Sequence, residues 1–450
     1  MIRHIILIIS IALTPTFCGR LTAQQVYTLE QILDSARSNN ISIRQAKLNI
    51  EQAHEQKKEA FTKYFPTVSG TGLWFNANKG MAQMDIDPSK SISPELALAL
   101  SQSLPAEALA ALASPFGISM MKNGAIAGIT AIQPVFAGGQ IVNGNKLAAI
   151  GEEASGLQLN LAENEVTKTA EQYFWQIVTL QEKMKTINHV DSLLATIHHD
   201  VDIAVKAGVA LRNDLLQVQL RQNEVESQRL KLQNGISLVK MILSQYCGIC
   251  DTAFSVAYQM DTTSPITLKQ NHQQALPNTT EYQLLTKQVE AARLQHKMEI
   301  GKNLPSVGVG AGYNYHNLLE KDHSFGMVFA TISIPISEWW GGAHAIKRKK
   351  IEAQKAVEQL QDNAEMLTIR MQKAWNDVVE AYQQLGIAQR SIEQAEENLR
   401  IHQNTYRAGT STMSNLLEAQ LLYQQALDKK TDLYADYQNK LLEYKQAIGQ

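Results

Sequence analysis

Residues 406–420 read YRAGTSTMSNLLEAQ. One long helical pattern ends in this stretch and another begins, with Gly409 at the break. A weaker copy lies upstream. Residues 205–219 read VKAGVALRNDLLQVQ, and Gly208 stands at its break, 201 positions before Gly409. The same offset lays Leu215-Leu216 on Leu416-Leu417, Gln219 on Gln420 and Gly248 on Gly449. A register held from Gly208 to Gly248 marks an internal duplication: one architecture built twice within 450 residues.

Prolines set the limits of the helices. Beyond the N-terminal region they stand at Pro66, Pro88, Pro94, Pro105, Pro115, Pro134, Pro265, Pro277, Pro305 and Pro335. Residues 135–264 and 336–450 hold none. A proline inside a helix costs about 3 kcal/mol, so these two tracts are where long helices can run. The first copy begins with a helix over 29–64, with Thr28 as N-cap and Gln31 completing a capping box. It stops before Phe65-Pro66, because the residue before proline leaves helical space. Residues 67–76 (TVSGTGLWFN) read as a strand, and 124–136 (GAIAGITAIQPVF) as a second one closed by Ala137-Gly138-Gly139. The intervening 77–123 reads as a long irregular loop with an Ala/Leu-rich helical piece. One continuous helix follows over 140–207, on the order of 100 Å at ~1.5 Å per residue. A shorter helix spans 213–246, and 247–277 is irregular.

The second copy keeps that order. A helix over 281–303 ends at Leu304-Pro305, and 306–316 reads SVGVGAGYNYH. Val307, Val309, Ala311, Tyr313 and Tyr315 share one face of this strand; Ser306, Gly308, Gly310, Gly312 and Asn314 share the other. A period of two with one apolar face suits a strand between lipid and water. Residues 325–336 alternate too, with Val328, Ala330, Ile332, Ile334 and Ile336 on one side. A long helix then runs to Ala408 and a short one over 412–448. Pro134 and Pro335 keep the offset of 201, but Pro66 and Pro305 differ by 239, so 38 extra residues lie inside the first hairpin. Loop tips tolerate such insertions.

Composition narrows the function. Lys and Arg number 41 against 43 Asp and Glu, which gives no basic surface for nucleic acid. Arg3, the apolar run 5–13 and small or polar residues up to Ala23 predict a secretory signal peptide over 1–23. Cys18 follows Phe17, where a lipobox wants Gly or Ala, and this counts against a lipid anchor. No later run approaches the roughly 18 apolar residues of a spanning helix. The exported chain is therefore periplasmic, secreted, or held in an outer membrane by strands. Two strands per copy make four per chain, and membrane barrels need about eight. An open sheet edge is not viable in lipid, so sister chains must complete the ring. Two chains would fill the interior with side chains; three would leave a lumen. Thin apolar seams on Ala- and Gln-rich helices, as in 381–395, suit a hollow coiled-coil wall.

Taken together, the chain resembles the TolC-type outer-membrane efflux family, the outer membrane factors. The resemblance rests on QPVFAGG (133–139), on FPTVSGTG and LPSVGVGAG after the helices, on the YRAGT…LLEAQ turn, and on the duplicated order. It implies a mainly α fold with membrane β: a duplicated helix–strand–strand–helix repeat forming a long α-helical barrel and a 12-stranded β-barrel completed by trimerisation. The segments would be a first repeat over 24–250, an equatorial linker over 251–277 and a second repeat over 278–450. The implied role is the exit duct of a tripartite efflux or type I secretion system, without enzymatic activity or cofactor. The implied partners are two sister chains in a homotrimer, a periplasmic adaptor (membrane fusion protein), an inner-membrane transporter and outer-membrane lipid, with no nucleic acid.

The resemblance also carries over site residues. Asn415 and Glu418 fall where the family narrows its pore with acidic rings. Asn415 departs from the pattern, so only Glu418 supplies carboxylates. Asn213, Asp214 and Tyr406 match the closing links, whereas Ser411 stands where a basic residue is expected. Gly208, Val209, Gly409 and Thr410 match the tips that receive an adaptor. The plainer reading of Glu418 and Asp214 is that acids are favoured in first helical turns anyway. Trp74, Tyr313, Tyr315, Trp339 and Trp340 fit aromatic girdles, or else packing beneath a barrel. Cys247 and Cys250 have redox-motif spacing but follow a helix end, which points to a local disulfide or idle thiols. His189, His198 and His199 read as surface residues. The rival architectures are an exported periplasmic coiled-coil adaptor or scaffold and, more remotely, a redox enzyme.

Overall fold

The computed structural model describes residues 25–90, 93–260, 264–318 and 321–450. The expected signal peptide and Cys18 lie outside the described residues. The strands and α-helices, in chain order, are β1 (Val26–Tyr27), α1 (Leu29–Asn39), α2 (Ile41–Thr62), β2 (Thr67–Asn76), β3 (Ala82–Ile86), α3 (Pro94–Ser103), α4 (Ala106–Ala113), β4 (Phe116–Met120) and β5 (Asn123–Ala137). There follow α5 (Gln140–Lys206), α6 (Arg212–Cys247), β6 (Ser255–Val256), α7 (His272–Ala275), α8 (Thr280–Lys302), β7 (Ser306–His316), β8 (His323–Ser333), α9 (Glu338–Arg407) and α10 (Met413–Ala447). Two compact units are cut from this chain. One holds the segment ending at Lys47, Gln158–Tyr282 and Ala364–Gln450; the other holds Leu48–Leu157 and Gln283–Asn363. Each copy of the duplication contributes to both units.

The second unit is built on an antiparallel sheet in the order β2-β5-β7-β8. Its register lines up Val68, Ala131, Ala311 and Val328, and beside them Gly70, Ile129, Tyr313 and Gly326. Side chains directly opposite share a face, so the most exposed apolar residues, Val68, Trp74, Ile129, Val328 and Ile332, gather on one side, while Phe75, Ile126, Ile132, Phe325 and Met327 lie on the other. The other face carries Gly308, Gly310 and Gly312. There the Phe329 ring lies so close over Gly310 that an added Cβ would meet it at 2.4 Å. A bulge between Pro134 and Phe136 shifts the β5–β7 register, as expected where proline offers no N–H.

Three expectations need correction here. The last strand is His323–Ser333, not 325–336. Its partner β7 starts at Ser306, directly after Pro305, so nothing pairs with the chain beyond Ser333. The first-hairpin insertion is not irregular. β3 and β4 pair antiparallel and carry α3, whose N-cap Ser93 accepts from the Leu96 amide with Pro94 in the first turn. The strands therefore number eight among the described residues, although only four form the wide sheet.

The first unit is helical, with a small parallel pairing of β1 on β6. The α1 start is as expected: Thr28 and Gln31 exchange both capping-box hydrogen bonds. The helix does not run through to residue 64. Asn40 leaves helical space at ψ 136°, and its side chain accepts from the Ser42 amide to start α2. Along the long helices burial follows narrow heptad seams. On α9, Met371, Val378, Leu385, Ile392 and Leu399 recur every seven residues, with Ala381 and Ala388 between them. On α5, Ile187, Leu194 and Val201 do the same, with Val190 and Ile197 between. This is coiled-coil spacing. A wider core gathers Phe174, Trp175, Met371, Trp375, Tyr434 and Tyr444 with Phe254 after the linker's first turn.

Candidate functional site

The duplication reappears as backbone geometry. Gly208, Gly248, Gly409 and Gly449 all sit in left-handed conformation, with φ of +74°, +66°, +73° and +81°. Each closes a helix with the same pair of hydrogen bonds. Gly208 N–H donates to Val205 O and Val209 N–H to Ala204 O; Gly409 N–H donates to Tyr406 O and Thr410 N–H to Thr405 O. These bonds satisfy carbonyls that a helix end leaves orphaned, and glycine adopts the required φ without a Cβ penalty. The outward residues Val209 and Leu211 stay exposed.

Of the proposed gate residues, the structure brings some together. Tyr406 packs against the cluster of Met413, Leu416 and Val218. Its hydroxyl pKa is raised, chiefly by burial and then by the Asp214 charge. Asp214 itself accepts from the Leu211 amide at the start of α6. Asn415 donates from Nδ2 to Ser411 Oγ, 3.4 Å away. Asn213 and Glu418 are exposed within the single chain.

A polar cluster in the seam was not anticipated. Arg221 is buried and donates to Gln420 Oε1 (3.1 Å), Gln424 Oε1 (2.7 Å) and Glu224 Oε2 (2.8 Å). Gln424 in turn donates to Gln228 Oε1 at 3.0 Å. Of these groups only Glu224 carries the opposite charge, and its side chain is 63% exposed. Nearby, burial pushes the Asp428 carboxyl up to about 6, with Asp432 adding to the shift while Lys183 and a Gln424 hydrogen bond oppose it. Heptad spacing held the signal: Arg221 lies midway between Val218 and Val225, where an apolar residue belongs. Polar residues at such positions fix register and partner choice.

The aromatic candidates fall near both ends of the wide sheet. Trp74 and Tyr313 are exposed on the apolar face, and Tyr313 donates to Ser324 Oγ at 2.9 Å. Tyr315 donates to Asp322 Oδ1 at 2.6 Å. At the helical end, Trp339 Nε1 donates to Asn303 O at 3.0 Å, and Trp340 is exposed. Cys247 and Cys250 are free thiols, so no disulfide joins them. Burial pushes Cys247 up to about 12, which leaves a neutral, unreactive thiol. His189 and His199 are exposed as expected; His198 is half-buried beside the Gln219 side chain. Among the described residues no three His, Cys, Asp or Glu side chains form a metal cage, and no helix is long and apolar enough to cross a membrane.

Residues 271–450 match the model of the outer membrane efflux protein family. Solved structures extend the likeness over nearly the whole chain. The outer membrane protein VceC of Vibrio cholerae is 14% identical, with a TM-score of 0.73 over 94% of this chain and 96% of its own. CusC, a transmembrane channel, is 14% identical, with a TM-score of 0.75 over 94% and 92%. The CmeC outer membrane channel of Campylobacter jejuni is 15% identical, with a TM-score of 0.73 over 94% and 85%. At such identities the likeness establishes the fold. A comparison with curated protein sequences finds no match.

Proposed function

We propose that this chain is an outer membrane efflux protein and one third of a passive exit duct spanning the outer membrane and the periplasm, a reading supported by the family match over residues 271–450 and by the fold. The observation that carries this reading is the wide sheet. It turns Val68, Trp74, Ile129, Val328 and Ile332 outward and leaves β2 and β8 as unpaired edges. Neither feature suits a free chain in water. Three copies joined edge to edge would make a ring of twelve strands with lipid on the apolar face and a lumen within. Trp74 and Tyr313 near one end, and Trp339 and Trp340 at the other, would then lie at the two membrane surfaces. A coiled-coil adaptor or scaffold would have no use for such a sheet.

The duct does no chemistry in this reading; an inner-membrane transporter supplies the energy. The glycine turns at Gly208 and Gly409, with Val209 and Thr410 outermost, receive a periplasmic adaptor. Glu418 projects from the first turns of α10, and three copies would form a ring of carboxylates favouring cations. Asp214 and Tyr406 hold the neighbouring turns. Cysteines introduced at Ser69 on β2 and Phe329 on β8, joined by a short bifunctional reagent, should yield a heat-modifiable trimer in outer-membrane fractions. Recovery of a water-soluble monomer without detergent would overturn the duct. Glu418→Ala should lower cation selectivity of single channels, and unchanged selectivity would remove the ring.

A further inference from the structure

At the end of the wide sheet away from the helices, two imidazoles face each other. His316 ends β7 and His323 begins β8, and the register makes them direct cross-strand partners. Their ring centroids are 5.2 Å apart and their planes tilt by 50°. Phe325 backs both, at 6.2 Å from His316 and 5.9 Å from His323. The backbone beneath is pinned. Asn317 N–H donates to Ala125 O at 3.1 Å, and Ala125 N–H donates to Asn317 Oδ1 at 2.8 Å, which ties the hairpin end to β5. The carboxylate preceding His323, Asp322, accepts from the Tyr315 hydroxyl.

Packing alone does not explain the pair. His316 Nδ1 is buried without a hydrogen-bond partner. Phenylalanine would fill the same space without that unmatched nitrogen. A half-turn about χ2 exchanges Nδ1 with Cδ2 and frees the nitrogen for a ligand. Two imidazoles on adjacent strands, held by a fixed register, become a two-nitrogen chelate once the His316 ring has turned. Imidazole suits copper, nickel and zinc, and copper(II) binds most tightly in that series. Water would complete the coordination sphere.

We infer that His316 and His323 form a binding site for one divalent transition-metal cation per chain, on the sheet face opposite the apolar one. The site lies on the same face as Gly308, Gly310, Gly312 and Asn314, which becomes the lumen wall in the proposed duct. The inference rests on that duct reading only for its position at the outer mouth. Metal binding by the hairpin stands or falls separately.

The test is titration of the detergent-solubilised full chain with Cu2+. The chain has 11 histidines, so the reading is a difference between variants. Wild type should bind one more equivalent than His316→Phe or His323→Phe, or bind it at least tenfold more tightly. The phenylalanine variants keep an aromatic ring beside Phe325 and remove both ring nitrogens. Electron paramagnetic resonance of wild type at one equivalent should show two coordinating nitrogens, and this holds even if a variant fails to assemble. Equal stoichiometry and affinity across the three proteins, or a single-nitrogen signal in wild type, would overturn the site. Loss of the trimer together with an intact two-nitrogen signal would refute the duct and leave the metal site standing.

Discussion

The two units bury their apolar residues in opposite ways. In the helical unit Trp175 and Trp375 are 5% and 7% exposed, enclosed by seams that the chain itself completes. In the sheet unit Trp74 and Val328 are 73% and 87% exposed, although their strands are fully paired on the inside of the sheet. The same residue types thus answer to different surroundings. A seam removes apolar surface from water by packing helix on helix, at about 25 cal/mol per Å². The sheet leaves its apolar surface for something outside the chain.

The largest effect should come from breaking the helical side of this contrast. Phe174 is almost wholly buried in the wide helical core, edge-on to Trp175 with centroids 5.2 Å apart. Phe174→Ala should destabilise the fold by about 3–5 kcal/mol through lost transfer energy and the cavity left behind. The midpoint of loss of helical circular dichroism on heating checks this. A drop of only a degree or two would mean that the core relaxes around the gap.

The matching change on the sheet concerns its environment, not its packing. Val328 lies midway along β8 and makes its face with Val68, Ala131 and Ala311. In water, an arginine there would be harmless. At a bilayer midplane it costs about 2–4 kcal/mol. Val328→Arg should therefore leave helical content intact and sharply reduce heat-modifiable trimer in outer-membrane fractions. Normal assembly of this variant would place the face in water and undo the contrast.

Much of this was legible in the sequence, for identifiable reasons. Proline positions bounded the long helices, because a missing N–H acts locally. The alternation in 306–316 gave β7 its true ends, since Pro305 and the turn after His316 limit it. β8 was misplaced because alternation continues through Ile336, while pairing depends on where the partner strand begins. The β3–β4 hairpin went unseen because five-residue strands separated by two helices show little periodicity. The glycine turns were read from their spacing, and all four proved left-handed. Arg221 escaped because its partners Gln420 and Gln424 lie on another helix. Only the seam position, not any motif, flagged it.

Two glycines sharpen the same comparison at smaller magnitude. Gly409 needs its conformation: φ is +73°, and an added Cβ meets no atom within 4 Å. Gly310 needs its space: φ is unremarkable, but the Phe329 ring and, behind it, the Ala131 carbonyl occupy the room. Gly409→Ala should cost about 1–2 kcal/mol whatever its neighbours are. Gly310→Ala should be destabilising too, and be only partly rescued by Phe329→Leu, because the Ala131 carbonyl would still lie 3.0 Å from the new Cβ. Thermal midpoints of the single and double variants read both. No rescue at all would show that the Ala131 carbonyl, not ring clearance, demands the glycine.

The smallest expected effect tests how dry the helical seam is. Asp428 has a pKa of about 6 against 3.8 for a free aspartate, mainly because burial disfavours its charge. The folded chain therefore holds this proton more tightly than the unfolded chain does. The ionised carboxylate detracts from stability above about pH 6, and the penalty fades as pH falls toward 4. Asp428→Asn removes the charge at every pH. It should raise stability at pH 7.5 by about 1 kcal/mol, once the site's partial exposure is discounted. At pH 4 the two proteins should melt together. An equal gain at both pH values would assign the effect to the unpartnered Oδ1 and not to charge. The seam beside Lys183 and Gln424 would then be as wet as the outer helix faces, and the distinction between a sealed helical unit and an open sheet would narrow to its apolar residues alone.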